Sequence, residues 1–260
     1  MSKNYELIQQ AAMNRQTAPS ADESPAPSFS KRNGHANGNG NGRKNGHDLD
    51  LDRLASEESS KLIQRVFLRH TEESPRVVEF AGIDHGNGCS LICARAAEVL
   101  ANDYPGSVCV VDANFRTPSL SQLFGVEDRR GLADSLVQDG PIRDFTQQLR
   151  PANLWLLSSG SLAADSPGLL NSERLKTRLD ELRKEFDHVL IDVAPLSPYG
   201  DGFALAPLTD GIVLVLEANS TYRESALRVI ESLRASQIQV LGAVLNKRTY
   251  PIPKALYDRL

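Results

Sequence analysis

Short apolar runs alternate with amphipathic segments through most of this chain, and that alternation limits the folds it can adopt. Near-continuous apolar strands are typical of parallel sheets that are covered on both faces. The runs that have this character are 76–82, 107–113, 153–157, 187–195, 211–218 and 240–246. Between them, apolar residues recur at helical spacing, as in the sets Ile92, Ala96, Val99; Leu175, Leu179, Leu182, Phe186; and Ala226, Ile230, Leu233. The sequence therefore predicts a doubly wound α/β domain, with a mainly parallel sheet and helices on both faces.

The first 50 residues differ in character from the rest. Asn and Gly make up ten of the fourteen residues of 33–46, a composition that loses much backbone entropy on ordering and buries little. We therefore expect a disordered region over 1–50 and a globular domain over 51–260. Residues 4–14 have the apolar spacing of a short helix, which is interpreted either as a docking peptide or as an idle terminus.

Composition excludes several classes of function. A net charge of −4 gives no reason to expect a nucleic-acid partner, and three cysteines are too few for a disulfide framework. No apolar run approaches the roughly 20 residues that span a bilayer, and the start of the chain has no secretory apolar core. We expect a cytoplasmic protein, with a peripheral position at the inner face of the membrane left open.

The loop 82–90, GIDHGNGCS, follows the first predicted strand and precedes a predicted helix. Two glycines let backbone N–H groups converge on an anion, and the helix N-terminus favours negative charge there. Ser90 stands where a hydroxyl would coordinate Mg²⁺, but Cys89 stands where phosphate loops carry lysine. The candidate phosphate-binding residues are Gly86, Asn87, Gly88, Cys89 and Ser90.

Two carboxylates stand at the carboxyl ends of other predicted strands, where ligands bind in doubly wound folds. Asp112 ends the second strand and Asp192 ends the fourth. A carboxylate at the end of a buried strand is unfavourable unless it meets a cation or water. The sequence therefore predicts Asp112 and Asp192 near a bound Mg²⁺.

With these motifs in order, residues 55–260 resemble the bacterial tyrosine autokinases of capsule and exopolysaccharide production. Those kinases are part of the broader MinD- and ParA-like P-loop ATPases. VVDANFRTPSLSQLFG is similar to the family's second Walker-type motif, and VLIDVAPLSPYGDGFALAPLTDGIVLVLEA to its Walker B strand and the segment that follows. LLSSGSLAADSPGLLNSERL and VLGAVLNKRTYPIPKALYDRL resemble a characteristic loop and the usual end of the domain.

The resemblance implies ATP and Mg²⁺ as cofactors, and a membrane polysaccharide co-polymerase or export protein as partner. By position, it implies that Asp112 associates with the metal and helps to take the tyrosine proton. It implies Asp192 and Ser90 as further Mg²⁺ residues and Asn246 as an adenine contact. Tyr250 and Tyr257 are the candidate phosphoacceptors in the tail, where packing against the domain is the alternative interpretation.

This chain departs from the family pattern at several positions. Cys89 replaces the lysine that bridges phosphates, Ile83 replaces a small residue and Asn114 replaces a second aspartate. The helical series used for ring assembly is reduced to Glu58, Lys61 and Gln64, which leaves self-association open.

Several functional hypotheses therefore remain. The leading one is a catalytically silent scaffold or regulator of exopolysaccharide biosynthesis, with weak or lost ATP binding. The first alternative is a working autokinase whose missing cation is supplied by Arg95, Arg116 or protonated His85. A second alternative is a thiol redox module at Cys89 and Cys93. A third alternative is a spatial organiser of the ParA or MinD kind, which would need nucleotide-dependent dimerisation.

Overall fold

The computed structural model describes residues 57–68, 74–127, 130–161 and 167–248. The predicted N-terminal region 1–50, with its helix at 4–14, lies outside these residues. So do Tyr250 and Tyr257, so their roles stay predictions.

The strands form one sheet with six parallel strands and one antiparallel edge strand in the described ranges. In chain order they are β1 Val77–Gly82, β2 Val108–Asp112, β3 Gln147–Gln148, β4 Leu154–Leu157, β5 His188–Val193, β6 Gly211–Glu217 and β7 Val240–Asn246. Their spatial order is β3-β4-β2-β5-β1-β6-β7, and β3 pairs antiparallel with β4. All six predicted strands are confirmed. The two glutamines of β3 were not predicted because they form no apolar run.

Helices pack on both faces of the sheet, as the alternation predicts. They are α1 at 57–66, α2 Cys89–Asp103, α3 Leu120–Phe124, α4 Leu132–Val137, α5 Glu173–Glu185, α6 Asp201–Leu205 and α7 Arg223–Ala235. Short 3₁₀ turns cover Ile142–Phe145, Pro167–Asn171 and Ala206–Leu208. None of the helices in these ranges is long and apolar enough to cross a membrane.

The two faces of the sheet have separate apolar cores. One core joins the sheet to α4, α5 and α7, and it buries Leu175, Leu179, Leu182 and Phe186 as predicted. The other joins the sheet to α1 and α2. Of the predicted face, Ala96 is buried while Ile92 and Val99 stay half-buried, and α2 also buries Cys93, Ala97 and Leu100. The buried face is therefore shifted from the predicted one. A helix that is apolar around most of its circumference does not specify its buried face by periodicity.

One buried carboxyl stands apart from the predicted site. Glu79 lies in the middle of β1 with no exposed surface, and neither of its oxygens has a hydrogen-bond partner. A Cβ atom on Gly202 of α6 would come within 2.7 Å of its Oε1, so glycine makes room for this side chain. Burial raises the pKa of Glu79 well above its ordinary value, so the surroundings favour the neutral form of this carboxyl.

Candidate nucleotide site

The predicted phosphate loop connects β1 to α2 at the carboxyl edge of the sheet. Gly86 and Gly88 both have φ +80, a left-handed conformation that side-chain-bearing residues rarely adopt. A Cβ on Gly88 would also collide with the amide of Asn246. Both glycines are therefore required by the backbone of this loop, as the motif predicts.

Asn87 fixes the loop from within. It is only 2% exposed, and its Oδ1 accepts a hydrogen bond from the Asp84 N–H at 2.9 Å. Its Nδ2 donates to Oγ1 of Thr221, in the segment between β6 and α7, at 3.0 Å. This side chain thus ties the loop to the neighbouring strand connection.

The end of β7 holds the loop from outside. Nδ2 of Asn246 donates to the Asn87 carbonyl at 2.8 Å, and Nζ of Lys247 donates to the Gly86 carbonyl at 2.7 Å. Lys247 also pairs with Glu217, with 3.1 Å between Nζ and Oε2. Sequence reasoning singled out Asn246 for adenine and missed Lys247, because nothing in the order of the chain places residue 247 beside residue 86. The adenine contact of Asn246 stays a prediction.

Asp112 and Asp192 lie side by side, because β2 and β5 pair with these two residues in register. Both are essentially inaccessible to solvent. Asp112 accepts backbone N–H groups at the start of α3, with Oδ2 2.9 Å from the nitrogens of Ser119 and of Leu120. The strand-end placement predicted for the two carboxylates is present, and Asp112 already helps to hold the loop that follows it.

Asp192 has no hydrogen-bond partner for either oxygen. Burial, and secondly the charge of Asp112, raise the pKa of Asp192 to about 8. The Ser90 hydroxyl and the Cys89 thiol lie beside it and oppose that rise, although neither reaches hydrogen-bonding geometry. Asp192 is thus largely protonated at neutral pH.

This corner of the site has the donor chemistry of a magnesium site. Two orphaned carboxyl oxygens of Asp192 adjoin the Ser90 hydroxyl, and Mg²⁺ prefers such oxygen ligands. Within the described ranges, no group of three or more His, Cys, Asp or Glu residues is placed to hold a metal by itself. The unpartnered carboxyl of Asp192 beside the Ser90 hydroxyl fits Mg²⁺, which is usually held by one or two carboxylates together with substrate phosphates.

Of the two cysteines of α2, Cys93 is buried and Cys89 is half-buried, and neither forms a disulfide. Burial, and then the charge of Asp192, raise the pKa of Cys89 and of Cys93 well above its ordinary value. Both thiols are therefore neutral at pH 7. Residue 89 brings neither positive nor negative charge to the loop.

The three predicted replacement cations have different surroundings. Arg116 is held by Asp201, at 2.7 Å from Nε and 3.2 Å from an Nη, and its guanidinium lies 4.1 Å from the Tyr199 ring centroid. Exposed His85 meets the same ring edge-on at 5.4 Å. Half-buried Arg95 lies on α2 and interacts electrostatically with Glu98.

The remaining departures from the family pattern have local partners. Asn114 is buried and donates to the Thr117 hydroxyl at 3.1 Å. On α1, Lys61 is 2.6 Å from Glu58 in an exposed ion pair within the helix. Gln64 is exposed on the same helix.

No protein-family model matches the chain. Among curated proteins it is similar to the tyrosine-protein kinase YwqD of Bacillus subtilis, 28% identical over 65% of this chain and 76% of that protein. It is 30% identical to the succinoglycan biosynthesis transport protein ExoP of Rhizobium meliloti over 66% of this chain, but only 22% of ExoP is matched. The putative tyrosine-protein kinase CapB of Staphylococcus aureus is 24% identical over 76% of this chain and 86% of its own length.

Solved structures give the same picture of the fold. The VpsO kinase domain matches with a TM-score of 0.70 at 23% identity, over 78% of this chain and 100% of that domain. The kinase domain of Escherichia coli ETK matches at 0.68 and 19% identity, over 78% of this chain and 82% of that domain. MinD of Pyrococcus horikoshii, solved with Mg-ADP, matches at 0.56 and 22% identity, over 70% of this chain and 76% of MinD.

These similarities confirm the resemblance drawn from the motifs. Sequence relatives and structural neighbours agree, although each rests on modest identity. The chain is similar in sequence to bacterial tyrosine kinases, and it has the fold of the P-loop type seen in the VpsO and ETK kinase domains and in MinD.

Proposed function

We propose that this protein is a scaffold or regulator of capsule or exopolysaccharide biosynthesis that has kept the nucleotide-site architecture and lost efficient phosphoryl transfer. One observation carries the proposal. At residue 89, where phosphate loops place a lysine, a neutral thiol lies beside the buried Asp192 and, across the strand pair, Asp112. The residue that would neutralise the phosphates is replaced, while the acidic residues beside it remain.

The energetic consequence differs for binding and for catalysis. A charge-assisted hydrogen bond is worth roughly 1.5–3 kcal/mol, so its loss weakens phosphate binding by about 10- to 150-fold. Loop amides and Mg²⁺ held near Ser90 and Asp192 would leave weak ATP binding. In phosphoryl transfer a comparable cation is worth roughly 10³–10⁵ in rate, so catalysis suffers far more than binding.

The proposed partner is a membrane protein of polysaccharide co-polymerisation or export. Support comes from the matched relatives, since ExoP is named a succinoglycan biosynthesis transport protein. We place the protein in the cytoplasm, at the inner face of the membrane when it meets that partner. The same relatives give no reason to propose nucleic acid as a ligand.

The test is the appearance of phosphotyrosine on the full chain after incubation with ATP and Mg²⁺. The proposal predicts no ATP-dependent phosphate at Tyr250 or Tyr257 by mass spectrometry. Phosphotyrosine that appears in the wild type and is absent from Asp112→Ala would instead establish a working kinase. An active bacterial tyrosine kinase assayed in parallel controls for the reaction conditions.

A working autokinase with a displaced cation is the second candidate. Lys247 favours it, because its ammonium lies 2.7 Å from a carbonyl of the phosphate loop. Arg116 favours it less, since Asp201 already holds the guanidinium.

The thiol redox module has weaker support. A reactive cysteine needs a lowered pKa, and burial raises that of both Cys89 and Cys93. Maleimide labelling across pH 5 to 9 tests this alternative. Labelling of Cys89 at pH 7 as fast as a free thiol would revive it.

A further inference from the structure

Three residues from the β6–β7 edge of the sheet make hydrogen bonds to the phosphate loop. Thr221 accepts from the Asn87 side chain, Asn246 donates to the Asn87 carbonyl, and Lys247 donates to the Gly86 carbonyl. We call Thr221, Asn246 and Lys247 the clamp. Two consecutive loop carbonyls are thereby satisfied from outside the loop.

The backbone of the clamp is itself held in an uncommon conformation. Lys247 has φ +55, in the left-handed region that a lysine rarely occupies. Its N–H donates to Oδ1 of Asn246 at 2.8 Å, so one asparagine side chain fixes both the loop and the lysine backbone. Left-handed backbone at such residues is kept when surrounding contacts impose it, and it occurs often at functional sites.

A second set of contacts orients the clamp from the strand side. Glu217, the last residue of β6, pairs with the Lys247 ammonium at 3.1 Å, and its own N–H donates to the Thr221 hydroxyl at 2.9 Å. Strands β6 and β7 pair without a register shift from Val213 and Gly242 to Glu217 and Asn246. Asn246 and Lys247 therefore lie at the end of β7, and Thr221, in the connection after β6, is tied to the end of β6 by the Glu217 N–H.

The loop needs such support. Its two left-handed glycines lose more conformational entropy on ordering than other residues would. A lysine at residue 89 would bring an extended side chain and a charge to the loop, and the Cys89 thiol is short and neutral. Contacts on the outer carbonyls favour the peptide orientation in which N–H groups face the anion.

We propose that Thr221, Asn246 and Lys247 hold the phosphate loop in its anion-binding shape from outside, with Lys247 as a positioning residue. This deepens the proposed function, and it rests on that function only in treating the loop as a nucleotide-phosphate site. The lysine acts through the Gly86 carbonyl and does not touch the phosphates.

The experiment compares wild type with Lys247→Met, Lys247→Arg and a charge-matched control, Lys176→Met, at an exposed lysine of α5. Amide hydrogen exchange is followed on peptides covering 82–90 in the full chain, and ATP affinity is titrated with Mg²⁺. We expect Lys247→Met to exchange about tenfold faster in the loop, in line with loss of one charged hydrogen bond that is partly exposed. Other peptides and the melting temperature should not change, Lys247→Arg should restore protection, and Lys176→Met should match wild type.

The two readouts separate this inference from the proposed function. Loop protection that depends on Lys247 in a protein that binds no ATP would support the clamp and overturn only the nucleotide-binding part of the function. Wild-type loop exchange in Lys247→Met would overturn the clamp. If that variant also lost ATP affinity, Lys247 would instead be a direct phosphate ligand.

Discussion

The two sides of the phosphate loop differ in whether their polar groups have hydrogen-bond partners. On the β6–β7 side, the loop's polar groups meet partners in Thr221, Asn246 and Lys247. On the β2–β5 side, the carboxyl of Asp192 is buried without a hydrogen-bond partner beside a neutral Cys89. On the β6–β7 side, these polar groups have hydrogen-bond partners within the protein. On the β2–β5 side, a buried carboxyl has none, as in a site that a ligand would complete.

Under the proposed function, shape and charge are lost separately. The glycine geometry, the loop contacts and the pairing of Asp112 with Asp192 are present in the structure. In that proposal, the neutralisation of phosphate charge fails because residue 89 is a cysteine. A nucleotide fold can therefore keep its pocket while its catalytic electrostatics fail, as we propose here.

The largest stability effect is expected for the isolated acid, Glu79→Gln. Burial keeps Glu79 protonated in the folded state, whereas the unfolded chain ionises it above about pH 4.5. The wild-type free energy of unfolding therefore falls as pH rises, until the raised folded-state pKa is passed. The variant lacks this loss, so we expect the two free energies of unfolding in urea to diverge by roughly 1 kcal/mol per pH unit above about pH 4.5, until the folded-state pKa is passed.

Glu231→Gln, at an exposed position of α7, is the matched control for that experiment. It should shift the curves of unfolding free energy against pH by only a few tenths of a kcal/mol. Parallel curves for wild type and Glu79→Gln would show that Glu79 is solvated or paired in solution. The difference between the unpartnered buried carboxyls and the hydrogen-bonded β6–β7 side of the loop would then be smaller.

Asp192→Asn should also become more stable to unfolding than wild type as pH rises, but only over a limited pH range. With a pKa of about 8, Asp192 contributes stability at low pH that is lost between about pH 4 and pH 8. The variant should therefore gain relative to wild type by roughly 1 kcal/mol per pH unit in this window, and the gap should stop growing above it. Asp180→Asn, exposed on α5, should show no such window.

A further outcome sharpens the role of Asp192. Mg²⁺ should stabilise wild type at pH 8, where the carboxyl begins to ionise, and should stabilise Asp192→Asn less. Equal stabilisation of the two proteins by Mg²⁺ in thermal unfolding would contradict the assignment of Asp192 to a metal site.

The smallest effect is expected for the ion pair of Arg116 and Asp201. Its side chains are 33% and 11% exposed, and such pairs are worth about 0.2–1 kcal/mol. A double-mutant cycle of Arg116→Ala and Asp201→Ala should give a coupling energy in this range. Arg116→Ala alone should leave ATP affinity within about threefold of wild type. A tenfold loss would identify Arg116 as the replacement cation.

Much of the fold could be predicted from local sequence. Buried parallel strands are apolar along most of their length, so six were identified from the chain, including the runs that contain Phe80 and Ile191. β3 was missed because its two glutamines have no apolar pattern and form a strand only by pairing with β4 at the edge of the sheet.

The candidate site was predictable where a residue's role is local. Gly86 and Gly88 indicate a tight loop, and Asp112 and Asp192 each follow an apolar run. Lys247 was not predictable, because its contact with Gly86 spans 161 residues and follows from which strands become neighbours in the sheet. Nor was the lack of a hydrogen-bond partner at Asp192, because it depends on how α2 places Ser90 and Cys89 beside the carboxyl.

Under the proposed function, the nucleotide site persists and the cysteine at residue 89 weakens it. Calorimetric titration with ATP and Mg²⁺ tests this most directly, on the full chain and on Cys89→Lys, with Cys89→Met as a neutral control. We expect weak binding by wild type and by Cys89→Met, and binding about 10- to 150-fold tighter by Cys89→Lys. Micromolar binding by wild type that Cys89→Lys does not improve would contradict it, and would mean that another cation already serves the phosphates.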